Sequence, residues 1–180
     1  MAWTTPMTFV SGNTLTAAQL NTYLGANLNE TAPAKATASG QWFVSTAANA
    51  IAARTISSNT VTAAETTSST SFVDLTTTGP SVTVTTGTKA ITSMGVHMQN
   101  NNASGYSDAS IAISGATSRS PANDEYCMSS GRDVASSLLH ASLVGLYALT
   151  AGSNTFKVQY RAQAAGTSTF QLRHLIVLPM

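Results

Sequence analysis

The feature that most constrains the fold of this chain is the strict alternation of polar and apolar residues in several short runs. Thr155–Arg161 is the clearest of these, because it places Phe156, Val158 and Tyr160 on one side and polar residues on the other. A period of two residues is that of a β-strand with one buried face. Ser81–Thr85 alternates in the same way. A chain built from such runs is expected to form sheets that bury one face each.

Further runs have strand character and are separated by turn residues such as Gly79-Pro80, Gly87 and Gly166. The last of them is apolar on both faces near its end, which is typical of a central strand or of one buried beneath another subunit. About eight short strands predict a mainly β fold, with a C-terminal jelly-roll-like antiparallel β-sandwich over residues 59–180. The additional runs are Phe72–Leu75, Ile91–Met98, Ser110–Ser114, Tyr126–Ser129 and Thr169–Leu178.

The N-terminal segment, residues 1–30, contains a well-marked helix start. Thr16 and Gln19 fit a capping box, in which each side chain bonds the other residue's backbone amide. The following residues have helical spacing, so we predict a short helix over about residues 17–29 whose apolar face is Leu20, Tyr23, Leu24 and Leu28. This helix either docks on its own domain or is an anchor that inserts into a partner. The sequence pattern leaves both interpretations open.

Residues 31–58 are rich in alanine and serine and are weakly patterned. Gln41–Val44 has the character of a short strand, and Asn49–Arg54 that of a second strand or an irregular turn. The segment offers too few apolar residues for a core of its own. We therefore predict an extended linker or stem between the N-terminal helix and the β-sandwich.

The low charge of the chain excludes several classes of protein. Charged residues make up 8% of the sequence, against roughly 25% in typical domains, and the formal net charge is +1. So small a net charge gives no positive potential that would attract phosphates, which excludes nucleic-acid binding by electrostatics. One cysteine excludes an intrachain disulfide framework, and the most apolar runs are too short for membrane insertion. A monomer with so few charges is poorly protected from association, which favours an assembly.

Motifs for catalysis are lacking in the sequence, which has no nucleophile elbow, P-loop, dinucleotide fingerprint or metal-binding histidine motif. His97, His140 and His174 are far apart in the chain, so each is expected to be a core or interface side chain. Cys127 is expected to be a small buried hydrophobe. The scarce acids present no pair of the kind that a glycosidase needs. We predict no enzyme activity, no cofactor and no metal site.

Two loops are candidate recognition surfaces. One is a polar turn of amides with an aromatic residue, groups that suit the hydroxyls and ring faces of a carbohydrate. The other, residues 116–133, holds five of the fifteen charged residues. The alternative, that both are ordinary solvated loops, stays open. The candidate receptor or glycan contacts are Asn100, Asn101, Asn102, Tyr106, Arg119, Asp124 and Glu125.

Three stretches of the chain carry a resemblance to a known family. An early Trp3 and Pro6, then Phe9–Gly12, then Leu15–Asn21 (LTAAQLN) resemble the N-terminus of tailed-bacteriophage minor structural proteins, whose pattern is W-x-x-P…G…LTAAxLN…N. Gly40–Arg54 is similar to a short segment of the same family. The ending, Leu149–Phe156 and Arg173–Pro179, is similar to that of phage fibre heads.

The resemblance implies a non-enzymatic virion protein, assembled in the bacterial cytoplasm and usually a homotrimer. Its partners would be copies of itself and other virion proteins of the capsid or tail, and a host-surface glycan is a further candidate. Relatives often carry long stems, and the short linker here favours a compact spike or short tail fibre. The alternatives are a capsid decoration protein and a carbohydrate-binding adhesin module. The residues expected to attach the chain to the particle are Trp3, Phe9, Leu15, Leu20, Tyr23, Leu24 and Leu28.

Overall fold

A computed structural model describes residues 4–130 and 134–180 of the chain. The fold consists of two compact units that divide between Ile56 and Ser57. Within the described residues, no helix has the length and apolar character needed to cross a membrane.

The N-terminal unit begins with the helix that the capping box predicts. Thr16 accepts a hydrogen bond from the Gln19 amide, and the Gln19 side chain accepts one from the Thr16 amide. The helix comprises α1 (Ala17–Leu20), a π-helical segment (Asn21–Gly25) and α2 (Ala26–Leu28). The expected start is therefore confirmed. The middle turn is wider than a regular α-helix, which the apolar spacing did not indicate.

The segment expected to be an extended linker contains secondary structure. It has a one-turn helix, α3 (Ala32–Lys35), followed by β1 (Gln41–Ala47) and β2 (Ala50–Thr55). The two strands pair in antiparallel fashion, and Asn49 adopts a positive φ of 57° between them. Asparagine tolerates this left-handed conformation, which tight hairpin turns require. The two segments with strand character in the sequence, Gln41–Val44 and Asn49–Arg54, thus correspond to two strands that form a hairpin.

The C-terminal unit is the predicted jelly-roll-like antiparallel β-sandwich. A four-stranded sheet has the order β5-β10-β7-β8, and a five-stranded sheet has the order β3-β11-β6-β9 with β4 also paired to β11. Its strands are β3 (Ser57–Val61), β4 (Glu65–Thr67), β5 (Ser81–Thr86), β6 (Lys89–Asn100), β7 (Tyr106–Gly115), β8 (Cys127–Ser129), β9 (Leu139–Ala148), β10 (Gly152–Gln163) and β11 (Ser168–Pro179).

The core lies between the two sheets and follows the alternation of the sequence. Phe156, Val158 and Tyr160 of β10 are fully buried, as their spacing predicts. They pack in one cluster with side chains of the facing sheet, including Met94 of β6 and Leu175 of β11. The final apolar run is confirmed as a central strand, because β11 lies between β3 and β6.

Two expectations about strands differ from the structure. The run Phe72–Leu75 forms no strand, and Val73 makes an isolated bridge to Tyr160 of β10. Conversely, the ten-residue strand β9, which begins at Leu139, is not among the runs with strand character in the sequence analysis. That strand lies at the edge of the five-stranded sheet, so one side of it is exposed and the apolar alternation is less regular.

A β-bulge in β11 determines which residues face the core. Leu172 has a positive φ of 47°, and the register with β6 shifts between Gln171 and His174. A shift of one residue exchanges the two faces of a strand. As a result Arg173 points into the sandwich and is fully buried, whereas His174 lies on the outer side.

Candidate functional site

An apolar depression lies in the N-terminal unit. It is a groove of about 320 Å³ between the chain segment that begins at Thr4 and the helix α1–α2. Nearly all of its lining is carbon. The groove is lined by Pro6, Met7, Phe9, Gln19, Leu20, Tyr23, Leu24, Asn27 and Leu28.

Asn27 holds the two walls of this groove together. Its side-chain amide donates to the Thr4 carbonyl at 2.9 Å and to the Tyr23 carbonyl at 3.0 Å, and its Oδ1 accepts from the Thr4 amide at 2.7 Å. The side chain therefore pairs with Thr4 as a neighbouring β-strand would. Asn27 is buried although it lies on a three-residue helical stretch. Sequence reasoning did not select it, because nothing local distinguishes it from Asn21 or Asn29.

Most of the residues predicted to attach the chain to a particle converge on this groove. Phe9, Leu20, Tyr23, Leu24 and Leu28 line it, and Leu15 lines an adjoining pocket that also touches Phe9. Trp3 lies outside the described residues. Leu24 is 56% exposed, and Phe9, Leu20 and Leu28 are exposed as well. The structure thus brings six of the seven predicted residues into one region and leaves their apolar surface open to solvent.

The asparagine loop between β6 and β7 has a different construction from the one expected. Asn100 is buried, and its amide donates to the carbonyls of Tyr106 and Ala165 and to the Ser168 hydroxyl, all at 3.1 Å. Its Oδ1 accepts from the Asn102 amide at 2.8 Å. Asn100, which the sequence analysis named as a candidate contact residue, is thus a buried amide whose partners hold the loop in shape.

The other members of that loop are accessible to different degrees. Asn101 and Asn102 are exposed, although each uses its Oδ1 within the loop, Asn101 for the Thr167 amide and Asn102 for the Ser104 amide. Tyr106 is half-buried. Their amide NH₂ groups and the tyrosine ring remain the part of the loop that a glycan would meet.

The charged loop after β7 is organised around Arg119. Its guanidinium pairs with Asp124, donates to the Ile111 carbonyl, and lies about 5 Å from the ring centres of Tyr126 and Tyr147. Arg119 and Asp124 are thus fastened to the sandwich and are not freely solvated, whereas Glu125 is exposed. This loop contacts the Ile113 end of β7, and the asparagine loop adjoins Tyr106 at the other end. Seven residues of strand separate them by about 23 Å, so the two loops do not form one site.

The three histidines, far apart in sequence, lie on one face of the five-stranded sheet. His97 of β6 is the register partner of His140 of β9, and their ring centroids are 4.0 Å apart. His174 of β11 covers Gly95, where a side chain would collide with its imidazole. Sequence reasoning missed this grouping because it depends on strand register and on the bulge at Leu172.

Metal-ligating and nucleophilic groups do not combine into a further site in the part of the chain that is described. No group of three or more His, Cys, Asp or Glu side chains there has a geometry that could hold a metal ion. Burial, and next the negative charge of Asp108, raise the pKa of the Cys127 thiol to about 12, so it is not a reactive thiolate at neutral pH.

Comparison with known proteins adds no relative. No protein-family model matches the chain, and no curated protein is found to be similar to it.

Proposed function

We propose that this chain is a non-enzymatic structural protein of a tailed-bacteriophage virion, a homotrimeric short fibre or spike. The N-terminal groove attaches it to a capsid or tail protein, and the β-sandwich projects from the particle. The observation that carries the proposal is the groove itself, an open apolar surface held in shape by a buried asparagine. The resemblance of Leu15–Asn21 to the phage motif supports it, because Gln19 and Leu20 of that motif line the groove.

The groove is suited to attachment on energetic grounds. Burying a leucine side chain completely stabilises a complex by about 1.5–3 kcal/mol. Leu20, Leu24 and Leu28 are each about half exposed, so covering them contributes roughly 2–4 kcal/mol for each chain. In a homotrimer this contribution is made three times on one particle, and the second and third attachments benefit from high effective concentration.

A capsid decoration protein is the second candidate. It is favoured by the short connection between helix and sandwich, which consists of α3 and the β1–β2 hairpin where fibres often carry a long stem. A decoration protein would raise the heat stability of the particle, whereas a fibre would leave it unchanged. The adhesin alternative rests on Asn101, Asn102 and Tyr106 and is weakened by the burial of Asn100.

The test of attachment is incorporation into particles. Leu24→Asp places a charge in the groove, and Leu138→Asp makes the same change at a leucine outside it with a similar exposure, 52% against 56%. Each variant replaces the wild-type gene in the source bacterium, and released particles are purified on a density gradient and probed with an antibody to the β-sandwich.

We expect wild-type protein and Leu138→Asp to co-purify with particles and Leu24→Asp to remain in the soluble fraction. If wild-type protein is missing from purified particles, the virion assignment fails. If Leu24→Asp incorporates normally, the protein is a virion component that is attached by some other surface.

A further inference from the structure

The two outer faces of the β-sandwich differ in charge. On the four-stranded sheet, Lys157 pairs with Asp74 at 2.7 Å and Arg161 pairs with Asp108 at 2.8 Å. Gln159 lies between the two cations on β10 and also donates to Asp74. Asp108 is buried and its partner Arg161 is partly exposed, so this face is polar and carries its charges as ion pairs.

The outer face of the five-stranded sheet carries apolar residues along one half. The register places Val144 of β9 opposite Ser93 of β6 and Ile176 of β11, and in the next row Leu146 lies opposite Ile91 and Leu178. Val144 is 68% exposed and Leu146 is also exposed. A sheet face that contacts only water typically carries polar residues at such positions.

The other half of the same face carries His97, His140 and His174. The groups that face them across the strands are uncharged: Gln171 lies beside His97, and Thr60 of β3 lies beside His174. Among the described residues, the rows from Ile91 to Gln99 place no Lys, Arg, Asp or Glu on this face. Lys89, at the start of β6, lies one row beyond Ile91 and is exposed on the same side. We refer to this outer surface of β3, β11, β6 and β9 as the histidine face.

We propose that the histidine face is the surface through which copies of this chain associate. The proposal rests on the homotrimer of the proposed function and identifies the surface that forms it. A second copy is the occupant that fits, because an uncharged face needs no complementary charge on its partner and meets its own copy without repulsion. A partner with a charged surface would form no ion pair with this face.

The size of the histidine face agrees with that assignment. Eight residue steps along β6 and four strands across give roughly 27 Å by 19 Å, or about 500 Å² for each copy. In a cyclic trimer this face packs against a different patch of the next copy, and the two surfaces together bury about 1,000 Å² for each interface, the lower bound for a specific protein interface. An apolar centre with a polar rim is also the usual anatomy of such an interface.

The test is the mass of the full chain in solution, measured by analytical ultracentrifugation over a range of concentrations. Wild-type protein is expected at three times the 18.5 kDa chain mass at pH 7.5. Val144→Asp is expected to raise the concentration of half-dissociation at least about tenfold, because it buries an unpaired charge in the interface. Val134→Asp is the matched control, since Val134 has nearly the same exposure, 66%, and lies outside the histidine face. Far-ultraviolet circular dichroism shows that each variant is folded, and Val144→Lys replaces Val144→Asp if the latter is not.

The inference is overturned if Val144→Asp and Val134→Asp both remain trimeric, or if Leu24→Asp dissociates the trimer and Val144→Asp does not. A wild-type monomer at all concentrations also overturns it. Incorporation of Leu24→Asp into particles is measured in a separate experiment. Attachment through the groove and association through the histidine face can therefore each fail without the other.

Discussion

Replacing Asn27 by alanine is expected to open the N-terminal groove without unfolding the β-sandwich. The substitution removes the amide donor and the carbonyl acceptor that pair with Thr4, and also the bond to the Tyr23 carbonyl. The Thr4 end of the segment then loses its fastening to the helix. Phe9 and Met7, which line the groove from that segment, would no longer be held opposite Leu24.

The expected loss of free energy in the closed groove follows from the three hydrogen bonds. Each contributes about 1 kcal/mol net, so the closed form of the groove loses about 3 kcal/mol, equivalent to a roughly 100-fold larger open population. The loss is local, because all three bonds lie within the N-terminal unit. The unfolding temperature of the β-sandwich is therefore expected to stay unchanged.

Hydrogen exchange of the Thr4 amide, followed by NMR, measures this population directly. We expect exchange to be about 100-fold faster in Asn27→Ala than in the wild-type protein. Asn29→Ala is the control, because Asn29 is an exposed asparagine two residues away. Equal exchange rates in Asn27→Ala and wild type would show that the groove is held by its apolar contacts and that the asparagine clamp contributes little.

Two further predictions concern the interior of the β-sandwich. Burial raises the pKa of Glu65, but hydrogen bonds from Thr77 and the charge of the fully buried Arg173 outweigh it and hold the pKa below its usual range. This stabilisation is complete above about pH 5 and is lost as the pH falls below about 4. Glu65→Gln should therefore lower the free energy of unfolding at pH 7 by about 3–5 kcal/mol and flatten its acid dependence, as measured by denaturant titration. Asn100→Ala should lower the free energy of unfolding by about 2–4 kcal/mol in the same measurement, because the carbonyls of Tyr106 and Ala165 lose their buried amide donor. A loss below about 0.5 kcal/mol would contradict the role given to Asn100.

Much of the architecture could be predicted because it depends on local patterns. A strand with one buried face has a period of two, so the alternation around Phe156 identified β10 and the residues it buries. The helix start was predicted because the capping box is a chemical arrangement of four consecutive residues, Thr16 to Gln19. These patterns determine secondary structure before any long-range contact forms.

What could not be predicted depends on long-range pairing. The contact of His97 with His140 is set by the register of β6 against β9. The outward position of His174 requires the bulge at Leu172, an ordinary leucine with no sequence signal for a positive φ. The burial of Asn100 likewise depends on Ala165 and Ser168, more than sixty residues away in the chain.

The placement of the charges connects the two proposed surfaces. Ion pairs among the described residues engage at least ten of the fifteen charged side chains, so few charges are left to keep the surface hydrated. Two of these pairs lie on the outer face of the four-stranded sheet, and none lies in the groove or on the described part of the histidine face. Selection for a freely diffusing monomer would spread charge over exposed leucine and valine surfaces, because such surfaces promote aggregation. An exposed groove and an exposed sheet face that both lack charge are therefore better explained as surfaces that are covered, the groove by a particle protein and the sheet by further copies of the chain.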